Sequence, residues 1–257
     1  MTEELKLKLR QLADKYENTS FPDADPCQFL RWFDLEKDGV AAVECASFIA
    51  AMLAFGNRKQ FIPKIKQILT AVPEANSATT SGQNFLSWLQ AGAPGFPDGQ
   101  AKFYRFYSYD DMHCLFKELG QVTKKYGSLG EAGRQIAAGE PVTGFWDLAD
   151  CLASLFPESA IVPKGKSSAN KRLCMYLRWM VRRNSPVDLG IWTWASPADL
   201  LIPLDVHVMQ EGVNLGLLAE NATASRKTAR QLSAMLNEAF PGDPARGDFA
   251  LFGLGVD

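Results

Sequence analysis

Histidine is nearly missing from this 257-residue chain, which holds only His113 and His207. A multi-histidine metal centre is thereby excluded, and no His-Glu-x-x-His run occurs. Cysteine is sparse and badly spaced: five residues, at 27, 45, 114, 151 and 174, with no Cys-x-x-Cys pair. That pattern fits neither a disulfide framework nor a zinc or iron–sulfur site; no cofactor is expected, and a reducing, cytoplasmic setting is the simplest fit. Walker A and Gly-x-Gly-x-x-Gly loops are lacking too, which removes the common phosphate cradles. Long apolar runs are also missing. The N-terminal MTEELKLKLRQL is charged and amphipathic, with Leu5, Leu9 and Leu12 on one side, and has no signal-peptide core. The stretch between Gly39 and Gly56 is apolar except for Glu44. It falls short of the ~20 residues a membrane span needs, so a core helix and no membrane partner are expected. Net charge is small as well: 27 basic against 29 acidic residues leave −2.

What remains is an ordinary globular composition, 47% apolar and 22% charged, with length for one large or two small domains. Nearly every segment repeats at helical period and none alternates, so the fold class is all-α with about ten helices. Asp25-Pro26-Cys27-Gln28 reads as a helix opening. A helix over about 58–72 places Phe61, Ile65, Ile68 and Val72 at core spacing. Residues 73–99 are rich in Ser, Thr, Gly and Pro and read as a loop with one short helix at FLSWL. Further on, Asp111 can cap a helix, Ser128 with Glu131 forms a capping box, and helices are expected over 147–156, 168–183, 206–218 and 223–239. Phe249, Leu251 and Phe252 read as core.

The near-zero total conceals a local excess. Between Glu158 and Asp188 there is no acidic residue, while seven basic ones occur: Lys164, Lys166, Lys171, Arg172, Arg178, Arg182 and Arg183. The other 20 basic and 29 acidic residues leave −9, so one basic region stands in an acidic molecule, which points to a polyanion site. Helical spacing puts Lys171, Arg178 and Arg182 on one face, with Leu173, Leu177, Met180 and Val181 opposite. A solvated charged face is the alternative. Upstream, PKGKSSANKRL offers a glycine, small residues and a helix start whose N–H groups can hold a phosphate.

Pro203-Leu204-Asp205-Val206-His207-Val208, followed by Gly216-Leu217, resembles the Val-Asp-x-His-Val segment of the helix-hairpin-helix DNA glycosylase superfamily. Lys171-Arg172-Leu173, Leu177 to Arg182, Asp188 to Trp192 and the closing Asp248 to Gly255 resemble a conserved bacterial family of unknown function, a distant branch of that superfamily. The resemblance implies two helical subdomains flanking a cleft: residues 1–40 plus 185–257, and 41–184 ending in a helix-hairpin-helix. It also implies base excision from flipped-out nucleotides in damaged double-stranded DNA by a monomer. Asp205 would be the catalytic carboxylate, and Lys171 the amine that forms a Schiff base in members that also cleave the strand. The spacing is closer to archaeal 8-oxoguanine glycosylases than to endonuclease III. The family's Leu-Pro-Gly-Val-Gly hairpin is here Val162-Pro163-Lys164-Gly165-Lys166, which leaves Lys164 and Lys166 as alternative amines.

By the same resemblance Lys164, Gly165, Lys166, Arg172, Arg178, Arg182 and His207 would bind DNA, and Arg172 and Arg178 would depress the amine's pKa. Asn57 and Arg58, with Tyr104 and Arg105 of the aromatic run Phe103–Tyr107, would form a base pocket or duplex probe. Plainer roles stand beside these. Asp205 is a good helix N-cap, Gly56-Asn57 a helix C-cap, Lys171 a surface cation, and the aromatic run part of a core. A non-catalytic nucleic-acid-binding protein with the same fold is the alternative function.

Overall fold

The computed structural model describes residues 1–72, 81–139 and 147–255. In chain order its helices are α1 (Glu3–Tyr16), α2 (Val40–Leu53), α3 (Arg58–Leu69), α4 (Gly82–Gln90), α5 (Tyr109–Tyr126), α6 (Leu129–Gly139), α7 (Leu148–Ser154), α8 (Lys171–Val181), α9 (Val206–Asn214), α10 (Arg226–Ala239) and α11 (Gly247–Leu254). Between α4 and α5 lies a small antiparallel hairpin, β1 (Lys102–Tyr104) and β2 (Tyr107–Ser108). The protein is predominantly helical, as its periodicity predicts.

The chain divides into two compact units. The first comprises Met1–Asp23, Asp147–Asp150 and Lys164–Asp257. The sequence boundaries at 40 and 184 differ because the segment after Asp23 packs on α2 of the other unit, while Arg178 of α8 pairs with Asp248 of α11. Its apolar core joins Leu9 and Ala13 of α1 to Ile202, Leu204, Val208, Leu232, Leu236, Ala250 and Leu251. Gly253 lets α11 lie directly on α1, since a Cβ there would enter the Tyr16 ring. α11 has no expectation over it, because GDFALFGL is apolar all round and shows no helical stripe.

The second unit comprises Ala24–Trp146 and Cys151–Pro163. Its centre is α2, buried along nearly its whole length, which is the fate its almost wholly apolar run predicts. Phe48 of α2 stacks on Phe156 at 4.6 Å. The single charge in that run, Glu44, is buried and accepts the Gly130 N–H at 3.0 Å, so it satisfies an otherwise orphaned donor at the start of α6. Glu118 does the same for the Glu158 and Ser159 N–H groups, at 2.8 and 3.0 Å.

Local capping explains most helix starts. Ser81 caps α4, which contains the expected FLSWL helix; residues 73–80 of the expected loop lie outside the described residues. Ser128 caps α6 through the Glu131 N–H. The cap of α5 is Ser108 rather than Asp111, and Asp111 returns to the Ser108 N–H at 2.7 Å to complete the capping box. The Asp25-Pro26 opening forms a 3-10 turn (Pro26–Arg31), not an α-helix. Among the described residues no helix is long and apolar enough to cross a membrane.

Candidate functional site

In the first unit Lys171 is the first residue of α8 and Asp205 is the N-cap of α9. Thirty-four positions separate them in sequence, yet the Lys171 Nζ lies 2.8 Å from Asp205 Oδ2. The other carboxylate oxygen, Oδ1, accepts the Val208 N–H at 2.8 Å, so one side chain caps a helix and holds a cation at once. The pair is open to solvent, with side chains 36% and 21% exposed. Burial alone would raise the Asp205 pKa, but the Lys171 charge and hydrogen bond, with the Val208 N–H, hold it below the usual carboxylate range. Asp205 therefore stands ionised beside a primary amine, at a place a ligand can reach.

The segment before α8 is exposed from Lys164 to Ser168 and then turns inward at Ala169 and Asn170. Asn170 adopts a left-handed conformation (φ 47°), and its side-chain amide donates to the Gly165 carbonyl at 3.2 Å, which folds the loop over the start of α8. Arg226, at the start of α10, fixes the loop from the other side. Its N–H donates to the Ser167 carbonyl at 2.8 Å and its guanidinium to the Gly165 carbonyl at 3.2 Å. That guanidinium grips Asp150 bidentately, at 2.5 and 2.7 Å. Lys164, Gly165 and Lys166 thus sit on an exposed loop with an anchored backbone. Arg172 is half-buried and His207 is exposed on the first turn of α9.

Arg178 and Arg182 do not share that surface. Both are buried, with side chains only 3% exposed, and both are neutralised by carboxylates. Arg178 pairs with Asp248 and, at 3.3 Å, with Asp188, and stacks over Phe249 at 4.3 Å. Arg182 meets Asp188 at 2.5 Å, Asp243 at 2.8 Å and Glu17 at 2.9 Å. Burial alone would favour a neutral Arg182, but these three acids hold it charged above its ordinary range. The expectation that the two arginines contact DNA is corrected on this ground.

In the second unit the expected probe residues fall at the start of α3 and on the hairpin. Asn57 caps α3, accepting the Lys59 N–H at 2.9 Å, so it opens a helix rather than closing one. Arg58 lies 3.6 Å from Asp25. Tyr104 is buried and donates its hydroxyl to the Phe55 carbonyl, which corrects its assignment to an open base pocket. Arg105 is exposed at the hairpin turn with φ 50°. Phe103 and Tyr107 are core, as the plainer reading holds; Phe106 is not, being 59% exposed.

Sequence reasoning passed over Arg226, Asp150 and Asn170. Asp150 and Arg226 are 76 positions apart, and no local pattern links them. Among the described residues no three His, Cys, Asp or Glu side chains group to hold a metal. Cys45 and Cys174 are buried thiols whose pKa burial pushes up, that of Cys174 to about 12, so neither is a ready nucleophile.

Fold and site together define a helical protein in which an ionised carboxylate and an amine meet beside an exposed basic loop. The chain belongs to the family described as protein of unknown function (DUF2400), whose profile matches residues 25–257. Neither the curated proteins nor the solved structures contain a match to it.

Proposed function

We propose that the protein is a DNA glycosylase of base-excision type, with a helix-hairpin-helix glycosylase-like fold, acting on a damaged base flipped out of the duplex. The observation that carries this reading is the 2.8 Å meeting of Lys171 and Asp205 in a position open to solvent. In a hydrolytic route Asp205, ionised, would stabilise positive charge on the sugar as the N-glycosidic bond breaks; in a lyase route it would relay a proton. Lys171, as an ammonium, has no lone pair, so attack begins with transfer of a proton to Asp205. The freed amine adds to the sugar C1′, and the base leaves with the bonding electrons and takes up that proton. The ring then opens as a nitrogen proton moves to the ring oxygen, which leaves a Schiff base. Lys164, Gly165, Lys166, Arg172 and His207 would hold the flanking phosphates.

Borohydride reduction in the presence of a lesion-containing duplex tests the chemistry. A covalent adduct is expected in the wild type and its loss in Lys171→Ala; an adduct that persists in the variant removes Lys171 from the reaction. Base release without an adduct, abolished by Asp205→Asn, would define a hydrolytic enzyme instead. The Val208 cap favours the second reading, a nucleic-acid-binding protein without catalysis, because capping alone accounts for an aspartate at position 205. Steeply salt-dependent binding, unaltered by Asp205→Asn and without base release, would select it.

A further inference from the structure

The second unit carries a surface that the repair chemistry does not use. The hairpin turn consists of Arg105 and Phe106, with Tyr104 paired to Tyr107 across it. Arg105 takes up the left-handed backbone that the tight turn requires. Phe106 is thereby held out at the tip, yet its base is fixed: its ring lies 4.5 Å from Tyr107 and 5.4 Å from Phe55. One edge is braced by aromatics and the rest is open.

The setting of this ring is cationic. Arg105 reaches over Phe55 at 6.0 Å and lies close to Gly56, whose missing side chain (φ +82°) leaves room for it. Next in sequence comes α3, with Arg58, Lys59, Lys64 and Lys66, and Lys64 sits over Phe103 of β1 at 4.6 Å. Residues 54–69 and 99–109 contain six basic side chains and no acidic one. Nearby carboxylates are partly spent: Asp110 accepts from Gly99 and Gln100, and Asp25 faces Arg58. An exposed aromatic braced on one edge, in a stretch whose charges are all basic, matches a ligand that is anionic along its length and presents flat apolar faces.

We infer that the Arg105–Phe106 turn and α3 form a binding surface for single-stranded nucleic acid, with an unpaired base stacked on Phe106 and the strand's phosphates on Arg105, Lys59 and Lys66. Stacking on an aromatic contributes affinity for any base, because each has a π face, while the cations supply the salt-dependent remainder. Binding there does not depend on the Lys171–Asp205 chemistry.

The test is fluorescence anisotropy of a dye-labelled deoxythymidine 15-mer with the full chain at low salt. Phe106→Ala is expected to weaken binding about tenfold, the usual loss for one stacked base, while Phe106→Trp binds at least as tightly as wild type. Phe106 is exposed, so both variants should melt with the wild type, which separates lost stacking from lost fold. The strand carries no lesion, so a failed borohydride experiment would leave this result standing. Equal affinity of Phe106→Ala and wild type, equal losses in Ala and Trp variants, or no strand binding by the wild type would each overturn the inference.

Discussion

Two helices of this protein look alike in sequence and end in opposite environments. α3 carries Arg58, Lys59, Lys64 and Lys66, and α8 with its C-cap carries Lys171, Arg172, Arg178 and Arg182; neither contains an acid. On α3 only Phe61, Ile65, Ile68 and Leu69 are buried, an ordinary stripe that leaves the cations at the surface. On α8 every residue from Leu173 to Val181 is buried, Arg178 included. The difference comes from the partners. Asp243 and Asp248 from the C-terminal region, Asp188 from the following loop and Glu17 from the end of α1 converge on the far half of α8. An acid-free stretch of sequence therefore reports local composition, not local potential, because the neutralising charges arrive from up to 165 positions away.

The sharpest way to break this contrast is to remove one of the buried arginines. Asp188 is fully buried, and burial pushes its pKa up even though Arg178 and Arg182 pull it back. Arg182→Ala should therefore cost about 3–5 kcal/mol, since it strands buried carboxylates as well as losing a pair. Denaturant unfolding measures it. A loss below about 1 kcal/mol, the range for exposed pairs, would show that the network is wet and that α8 is no different from α3.

How much of this was legible beforehand follows the same division. The α2 core helix, the Ser128 cap and the FLSWL helix rest on neighbours a few positions apart, and all were readable. So was the capping capacity of Asp205, because a carboxylate before a helical stripe is a local signal. Its approach to Lys171 has no local signal, as nothing in residues 172–204 dictates it. The inward turn of Arg178 and Arg182 was not readable, since periodicity places them on one face without saying what covers that face. The hairpin was missed because two strands of three and two residues show no alternation, and Arg105-Phe106 has none of the Asn or Gly residues that mark such turns.

At the open end of α8 the effect should be smaller and divisible. Asp205→Asn keeps a good cap and removes only the charge, for a cost of at most about 1 kcal/mol with both side chains partly exposed. Asp205→Ala loses the cap as well, for about 1 kcal/mol more. The sign of the pH dependence follows from the lowered carboxyl. Its contribution is present above the unfolded value of about 4 and disappears as pH falls through the folded one. The gap between wild type and Asp205→Asn should accordingly shrink on acidification below pH ~4, followed by thermal melts; a gap that widened there would mean that the charge destabilises the fold.

The smallest stability effect belongs to α3. Lys59→Ala and Lys66→Ala remove exposed cations from a solvent face, so each should leave stability within about 0.5 kcal/mol of wild type. Their effect should appear in binding instead. If α3 tracks phosphates, each variant lowers the salt dependence of single-strand affinity by roughly one unit of log K against log salt. The comparison is then complete in both directions, since loss of a buried arginine on α8 registers in folding and loss of a lysine on α3 in the salt slope. A Lys59→Ala protein with the wild-type slope would place the strand elsewhere and return α3 to the status of a solvated helix.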